Sequence, residues 1–304
     1  MPVTGFFEGR GMKRKKTVSD FVILLVLLLS MAMCLIPLLN TVAISFSDRV
    51  SAQGGKVFIW PVNFNLAPYQ ELLKDNQFFR SFLISVFRVL LGGAINVTLI
   101  ILTAYPLSKT PKQFSAKNRY MWFVVFLMLF NGGIVPTYVV VSQLRLINTI
   151  WALVLPGALP IFSCIILMNF YKTIPASLEE AAVIDGAGPW YILIRIFVPL
   201  STASIAVVAL WSIVGHWNDF FSGLIYITTR QNYPLQTYIQ SLTTSIDWQN
   251  VSNMRGEDIA RMMSLSNLTF TSAKVVMSMI PILLIYPLLQ RYFVTGIVMG
   301  AVKE

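Results

Sequence analysis

Few side chains in this sequence could carry chemistry. Its one histidine, His216, stands in the run His216-Trp217-Asn218-Asp219. Aromatic faces beside an amide and a carboxylate suit a polar ligand or a partner contact, and the same aromatics also belt membrane interfaces. The sequence leaves both readings open. Asn131-Gly132-Gly133 interrupts an apolar run. It fits either close helix packing or a polar, bendable patch lining a cavity. Arg88 lies inside another apolar run. An ionisable group at that depth is costly unless paired or hydrated. It either faces the bundle or a pathway, or snorkels outward; Arg80 lies eight residues earlier, about 12 Å along a helix. Cys34 and Cys164 sit in apolar runs and read as small packing residues. There is no CxxC and no HExxH, so no protein metal site is expected. Gly54-Gly55-Lys56 lacks the spacing and the Ser or Thr of a phosphate-binding loop. The chain is therefore expected to bind no ATP or Mg itself, and without a nucleophile–base pair it does not read as an enzyme.

The elements that hold these residues are apolar. Of 304 residues, 56% are hydrophobic and 12% charged, against about 25% charged in soluble domains. Mean hydropathy is +0.70. This predicts an all-α integral membrane protein and argues against a nucleic-acid partner for the net charge of +10. A membrane-crossing helix needs about 20 apolar residues. Six stretches are expected to cross: residues 21–46, 81–107, 120–141, 150–171, 197–214 and 275–289. Lys274 and Arg291 flank the last and could snorkel. The dense basic clusters at residues 10–16 and 109–119 fall on one side, the cytoplasmic side by the positive-inside rule. The expected layout is a cytoplasmic segment 1–20, a six-span domain 21–290 with outer loops 47–80 and 217–274, and a cytoplasmic tail 291–304. The first span follows basic residues as a signal peptide would, but its apolar run is too long, so it reads as a retained anchor.

The cytoplasmic loop 172–196 carries the clearest local signals. Ser177 with Glu180 three residues on is a capping box and predicts a helix start there. Glu179 and Glu180 suit the positive end of the helix dipole. Asp185-Gly186 should end the helix with glycine in the left-handed region. Gly188-Pro189 should cap and open a second helix bearing Trp190, Tyr191, Ile194 and Arg195, which Pro199 interrupts.

Glu180-Ala181-Ala182, then Gly186, Ile196 and Val198-Pro199, resembles the EAA loop of bacterial ABC importer permeases, with Val198 where that family usually has Leu. The likeness extends over most of the chain. It includes Phe58 to Tyr69, Ala104 to Lys109, Asn131 to Tyr138, Leu146 to Thr149, Trp217 to Phe221, Tyr233 to Gln236, and the tail from Gln290 to Lys303. These segments are similar to the carbohydrate class, in the maltose-type G-subunit lineage. The resemblance implies the type I importer permease fold, with six transmembrane helices and a cytoplasmic coupling helix-turn-helix. Glu179, Glu180, Ala181, Ala182, Asp185 and Gly186 would then couple to the ATPase. Asn131, Gly132, Gly133, Trp217, Asn218 and Asp219 are the candidates for the substrate pathway. Implied partners are a second homologous permease, two cytoplasmic ATPase subunits that hold ATP and Mg, an extracytoplasmic solute-binding protein, the lipid bilayer and a carbohydrate substrate. The implied location is the bacterial inner membrane, multi-pass, with both termini cytoplasmic. The competing reading is a stand-alone secondary transporter, which would need intramembrane carboxylates or broken helices. The six predicted stretches contain no Asp or Glu.

Overall fold

The computed structural model describes residues 18–130, 132–244 and 268–301. Among these every regular element is helical. Three helices are long and apolar enough to span a bilayer, and three bent helix pairs raise the count to as many as six. The predicted six-stretch pattern is thus present, but only half of the stretches are continuous.

The continuous spans are α1 (Val18–Ser45), α4 (Asn76–Ser108) and α15 (Leu268–Ala301). Two short helices, α2 (Arg49–Gln53) and α3 (Ala67–Lys74), lie between α1 and α4 in the chain. The Asn40 amide near the end of α1 donates to the carbonyls of Val57 and Phe58, which ties this loop down. Residues 21–31 of α1 are all exposed, as is Cys34, and all are suited to lipid.

α4 is built the other way. Its buried stripe runs Ser81, Ser85, Arg88, Gly92, Asn96, Ile100 and Ala104, three or four residues apart on one face. Leu83, Phe87 and Leu90 point outward. Polar groups therefore face protein and apolar groups face the membrane, as in a bundle whose solvent is lipid. At Gly92 the packing needs the missing side chain, because an added Cβ would lie 2.5 Å from His216 Nε2.

The other three spans are not the continuous helices predicted. The third divides into α5 (Lys117–Leu129) and α6 (Ile134–Gln143), bent by 111°. Gly133 at the start of α6 has φ +86°, which a side chain there would strain. The fourth divides into α7 (Ile150–Val154), a 3₁₀ turn at Leu155–Gly157, and α8 (Ile161–Tyr171), bent by 49°. Pro156 and Pro160 sit at this break and remove two helix donors.

The hairpin helices α9 (Ala176–Ile184) and α10 (Pro189–Ile192) precede the fifth span. A π turn, Leu193–Phe197, and α11 (Val198–Leu200) follow. The chain then bends by 83° into α12 (Thr202–Asn218). The helical backbone runs through Pro199 to Leu200 and breaks at Ser201 (φ −105°, ψ 14°), so the straight part of the fifth span begins at Thr202 rather than at residue 197. After α12 come α13 (Phe221–Tyr226) and α14 (Leu235–Thr244).

α15 starts at Leu268, before the predicted 275, and continues to Ala301 through most of the segment predicted as tail. Lys274 does not snorkel. It is fully buried, pairs with Asp75 and donates to the Tyr238 hydroxyl at 3.0 Å. Asp75 also caps α4 through the Phe78 N–H, so one carboxylate joins the starts of α4 and α15 to α14.

Two apolar clusters hold the bundle. One gathers Ile100, Tyr105, Leu167, Tyr171, Phe197 and Val208 near α9. The other gathers Phe78, Trp217, Leu235, Tyr238 and Phe270 at the opposite end.

Candidate functional site

Two features stand out, one beside the end of α4 and the start of α12, the other along the middle of α4 and the second half of α12. The first is the α9–α10 hairpin. The predicted capping box does not form. Pro175, with φ −56° and ψ 128°, occupies the N-cap, and α9 begins at Ala176. The proline fixes the extended entry, so Ser177 falls inside the first turn, where its hydroxyl cannot cap.

The other end of α9 follows prediction. Gly186 has φ +83°. Its N–H bonds the Val183 carbonyl at 3.0 Å, and the Ala187 N–H bonds the Ala182 carbonyl at 2.9 Å. Together these form a Schellman turn, which satisfies the last carbonyls of α9. Gly188 and Pro189 cap and open α10 as expected.

The hairpin presents apolar side chains to the exterior. Ile184 is 85% and Trp190 67% exposed, and Leu178, Val183 and Tyr191 are exposed too. Glu180, Ala181 and Asp185 lie exposed beside them, while Ala182 is half-buried against the nearer apolar cluster. Glu179 points the other way. Its Oε1 accepts from Lys109 Nζ at 2.7 Å. Burial holds the Lys109 ammonium below the usual lysine range, and the Glu179 carboxylate draws it back up.

The second feature is a cavity of about 360 Å³ between α4, the break of the fourth span and α12. Arg88, Asn96, Ser163, Ser212, His216 and Asp219 line it, with Trp211 at its side. Arg88 is 1% exposed, so it does not snorkel. It pairs with the Asp219 carboxylate and donates to the Asp219 carbonyl at 3.0 Å and the Leu153 carbonyl at 3.2 Å. One guanidinium thereby ties α4 to α7 and to the end of α12. With its amide turned to satisfy its neighbours, Asn96 donates to the Ala158 and Gly92 carbonyls and accepts from the Ser212 hydroxyl.

A smaller hollow of about 220 Å³ is lined by Gly133, Thr137, Ser222 and Tyr226. Ser222 borders both spaces, and its N–H bonds Asp219 at 3.1 Å. Of the pathway candidates, Gly133 and Asp219 are thus brought toward one place. Gly132 is exposed nearby, and Asn131 lies outside the described residues. Trp217 is elsewhere. It is buried edge-on to Phe82 and donates to the Ser278 carbonyl at 3.0 Å, a packing role. Asn218 is exposed and lines neither space.

Asn96, Ser163, Ser212 and Ser222 escaped the sequence reading. The three-and-four spacing of Ser81, Ser85, Arg88, Gly92 and Asn96 could have revealed the α4 face. A larger groove of about 600 Å³ beside α4 is walled mainly by Leu83, Ile84, Phe87, Leu153 and Ile227. Its walls suit lipid tails or a packed helix better than a sugar.

A helical membrane bundle with an exposed hairpin at one end and an internal polar cavity has the form of a transport subunit. No family model matches the chain. It is 35% identical over 292 residues to the polygalacturonan/rhamnogalacturonan transport system permease protein YtcP of Bacillus subtilis (strain 168), covering 95% of this chain and 99% of that protein. It is 36% identical to Protein LplC of the same organism, covering 90% of each chain. Among solved structures, a bacterial ABC transporter involved in import of the acidic polysaccharide alginate matches with a TM-score of 0.82 and 27% identity, over 95% of this chain and 100% of that one. The chain belongs to the permease family of ABC transporters.

Proposed function

We propose that this chain is the membrane permease of an ATP-driven importer for an oligosaccharide derived from an acidic, uronate-rich polysaccharide. It would work beside a second homologous permease. An extracytoplasmic binding protein would deliver the sugar. Two cytoplasmic ATPase subunits would hold ATP and Mg, one of them docking on the α9–α10 hairpin, leaving this chain without catalysis of its own. Both termini would be cytoplasmic in the bacterial inner membrane. The named substrates of relatives on both sides of the comparison, polygalacturonan and alginate, support the sugar class.

The polar cavity carries the reading. Amide, hydroxyl and imidazole groups at membrane depth are costly unless paired or hydrated, and here their pairing within the protein still leaves an open space with a polar lining. The cavity offers them beside the exposed Trp211 ring. An ion-driven transporter could use the breaks in the three bent spans, but the carboxylate form of that reading needs a group free to take a cation. Asp219, the carboxylate on the cavity wall, is held by Arg88.

The test is uptake into proteoliposomes containing the assembled importer, with trigalacturonate as probe and maltotriose as contrast. ATP-dependent uptake of trigalacturonate alone is expected. Uptake without ATP, driven by an imposed ion gradient, would establish the rival.

A further inference from the structure

Glu179 sits in the hairpin that the proposed function assigns to ATPase docking, yet its carboxylate faces inward. It accepts a 2.7 Å hydrogen bond from Lys109 Nζ. Lys109 is the residue that ends α4, and it is only 9% exposed. Its ammonium lies 4.0 Å from the centre of the Tyr105 ring and 4.1 Å from that of Phe197. Those rings meet edge to face at 5.0 Å, and Phe197 meets Tyr171 of α8 the same way at 5.4 Å. Phe197 closes the π turn that feeds the bend into α12.

One ammonium therefore touches three elements: the end of α4, the first turn of α9 and the turn leading to α12. α4 and α12 are also the helices that wall the polar cavity. A largely buried ion pair resists separation, because parting leaves a charge without its partner in a poor solvent. The aromatic contacts hold the same cation against the π turn.

We propose that Lys109 and Glu179 are positioning residues that form the mechanical link between α9 and the cavity helices. Displacement of α9 pulls α4 through the ion pair and α12 through Phe197. Glu180, exposed on the same helix, is left for the ATPase. This rests on the importer reading above.

The test uses the importer assembled with its ATPases. Cys34→Ser and Cys164→Ala remove the native thiols, and Gly215→Cys places a reporter on the cavity wall, where an added Cβ meets nothing within 4 Å. Labelling by a membrane-impermeant maleimide is timed with and without ATP and vanadate. The reporter protein is expected to change its rate with nucleotide. Lys109→Met or Glu179→Gln should shrink that change by about fivefold or more while ATP hydrolysis persists. Lys109→Arg should preserve it.

The double variant Lys109→Met/Glu179→Gln separates linkage from mere folding, since it leaves no orphaned charge. It should copurify with the ATPases as the parent does but still lack the nucleotide response. A full response in the double or in both single variants would overturn the link, as would a double variant that fails to assemble. A reporter protein that ignores nucleotide would instead overturn the importer reading, and the link with it.

Discussion

Arg88 shows how one residue can be read two ways from sequence and one way from structure. Its partners, Asp219 and the Leu153 carbonyl, lie far along the chain, so no local pattern marks them. The pair is uneven: the Arg88 side chain is 2% exposed and that of Asp219 29%. Removing one member should therefore cost differently from removing the other. Asp219→Leu leaves a buried cation and should lose about 3–5 kcal/mol of stability. Arg88→Leu leaves a carboxylate that water reaches and should lose less. The double leucine variant should recover most of the loss, and thermal unfolding in detergent reads all three. Equal melting temperatures for the two single variants would contradict this.

Glu180 makes the opposite case. With Pro175 as N-cap, its carboxylate has no capping duty, and it is exposed. Glu180→Gln should leave α9 folded but weaken ATPase association by about 1.5–3 kcal/mol, about tenfold or more in affinity. Copurification across a salt titration checks it. Wild-type recovery at every salt concentration would remove Glu180 from the interface.

At the scale of elements, the hairpin turn is the most exacting piece. Gly186 holds φ +83° and donates to the Val183 carbonyl. Proline supplies neither, since its φ is about −65° and it has no N–H. Gly186→Pro should reach the membrane in normal amount yet fail in uptake. Gly186→Ala, which strains the turn by about 1–2 kcal/mol, should retain most of its activity. Normal uptake by the proline variant would contradict a coupling role for the hairpin.

This turn was legible because its signals are local: Gly186 for the left-handed position, and Gly188-Pro189 for the next start. The positions of all six apolar stretches were legible for the same kind of reason, since length and hydropathy suffice. The breaks were not. Pro156, Pro160 and Pro199 stand in the sequence, but proline is tolerated in membrane helices when neighbours satisfy the freed groups. α15 carries Pro281 and Pro287 without a break. What decides between a kink and a break is the packing of other spans. The cavity was missed for a related reason. Its wall comes from separate stretches; of the Trp217-Asn218-Asp219 run only Asp219 lines it, and Gly133 lines the neighbouring hollow instead.

At the scale of the whole molecule, the basic clusters set the orientation expected in the membrane. The loop between α1 and α3 and the loop between α4 and α5 should lie on opposite faces of the membrane. A reporter active only outside the cytoplasm should work when inserted at Gly55, an exposed turn glycine with φ +66°. It should be silent at Lys112. The reverse result would invert the layout.

The Arg88–Asp219 pair also sets a timetable for biogenesis. α1 can rest in lipid as soon as it emerges, because its outward apolar surface needs little cover. α4 cannot, because its cation meets its carboxylate 131 residues further along the chain. At about 5–20 residues per second of synthesis, that leaves a wait on the order of 10 s. Throughout that interval α4 has a charged, polar stripe and no α12 to receive it. Until the fifth span is made, α4 bears the cost of an unpaired arginine by snorkelling, by hydration or by contact with the insertion machinery.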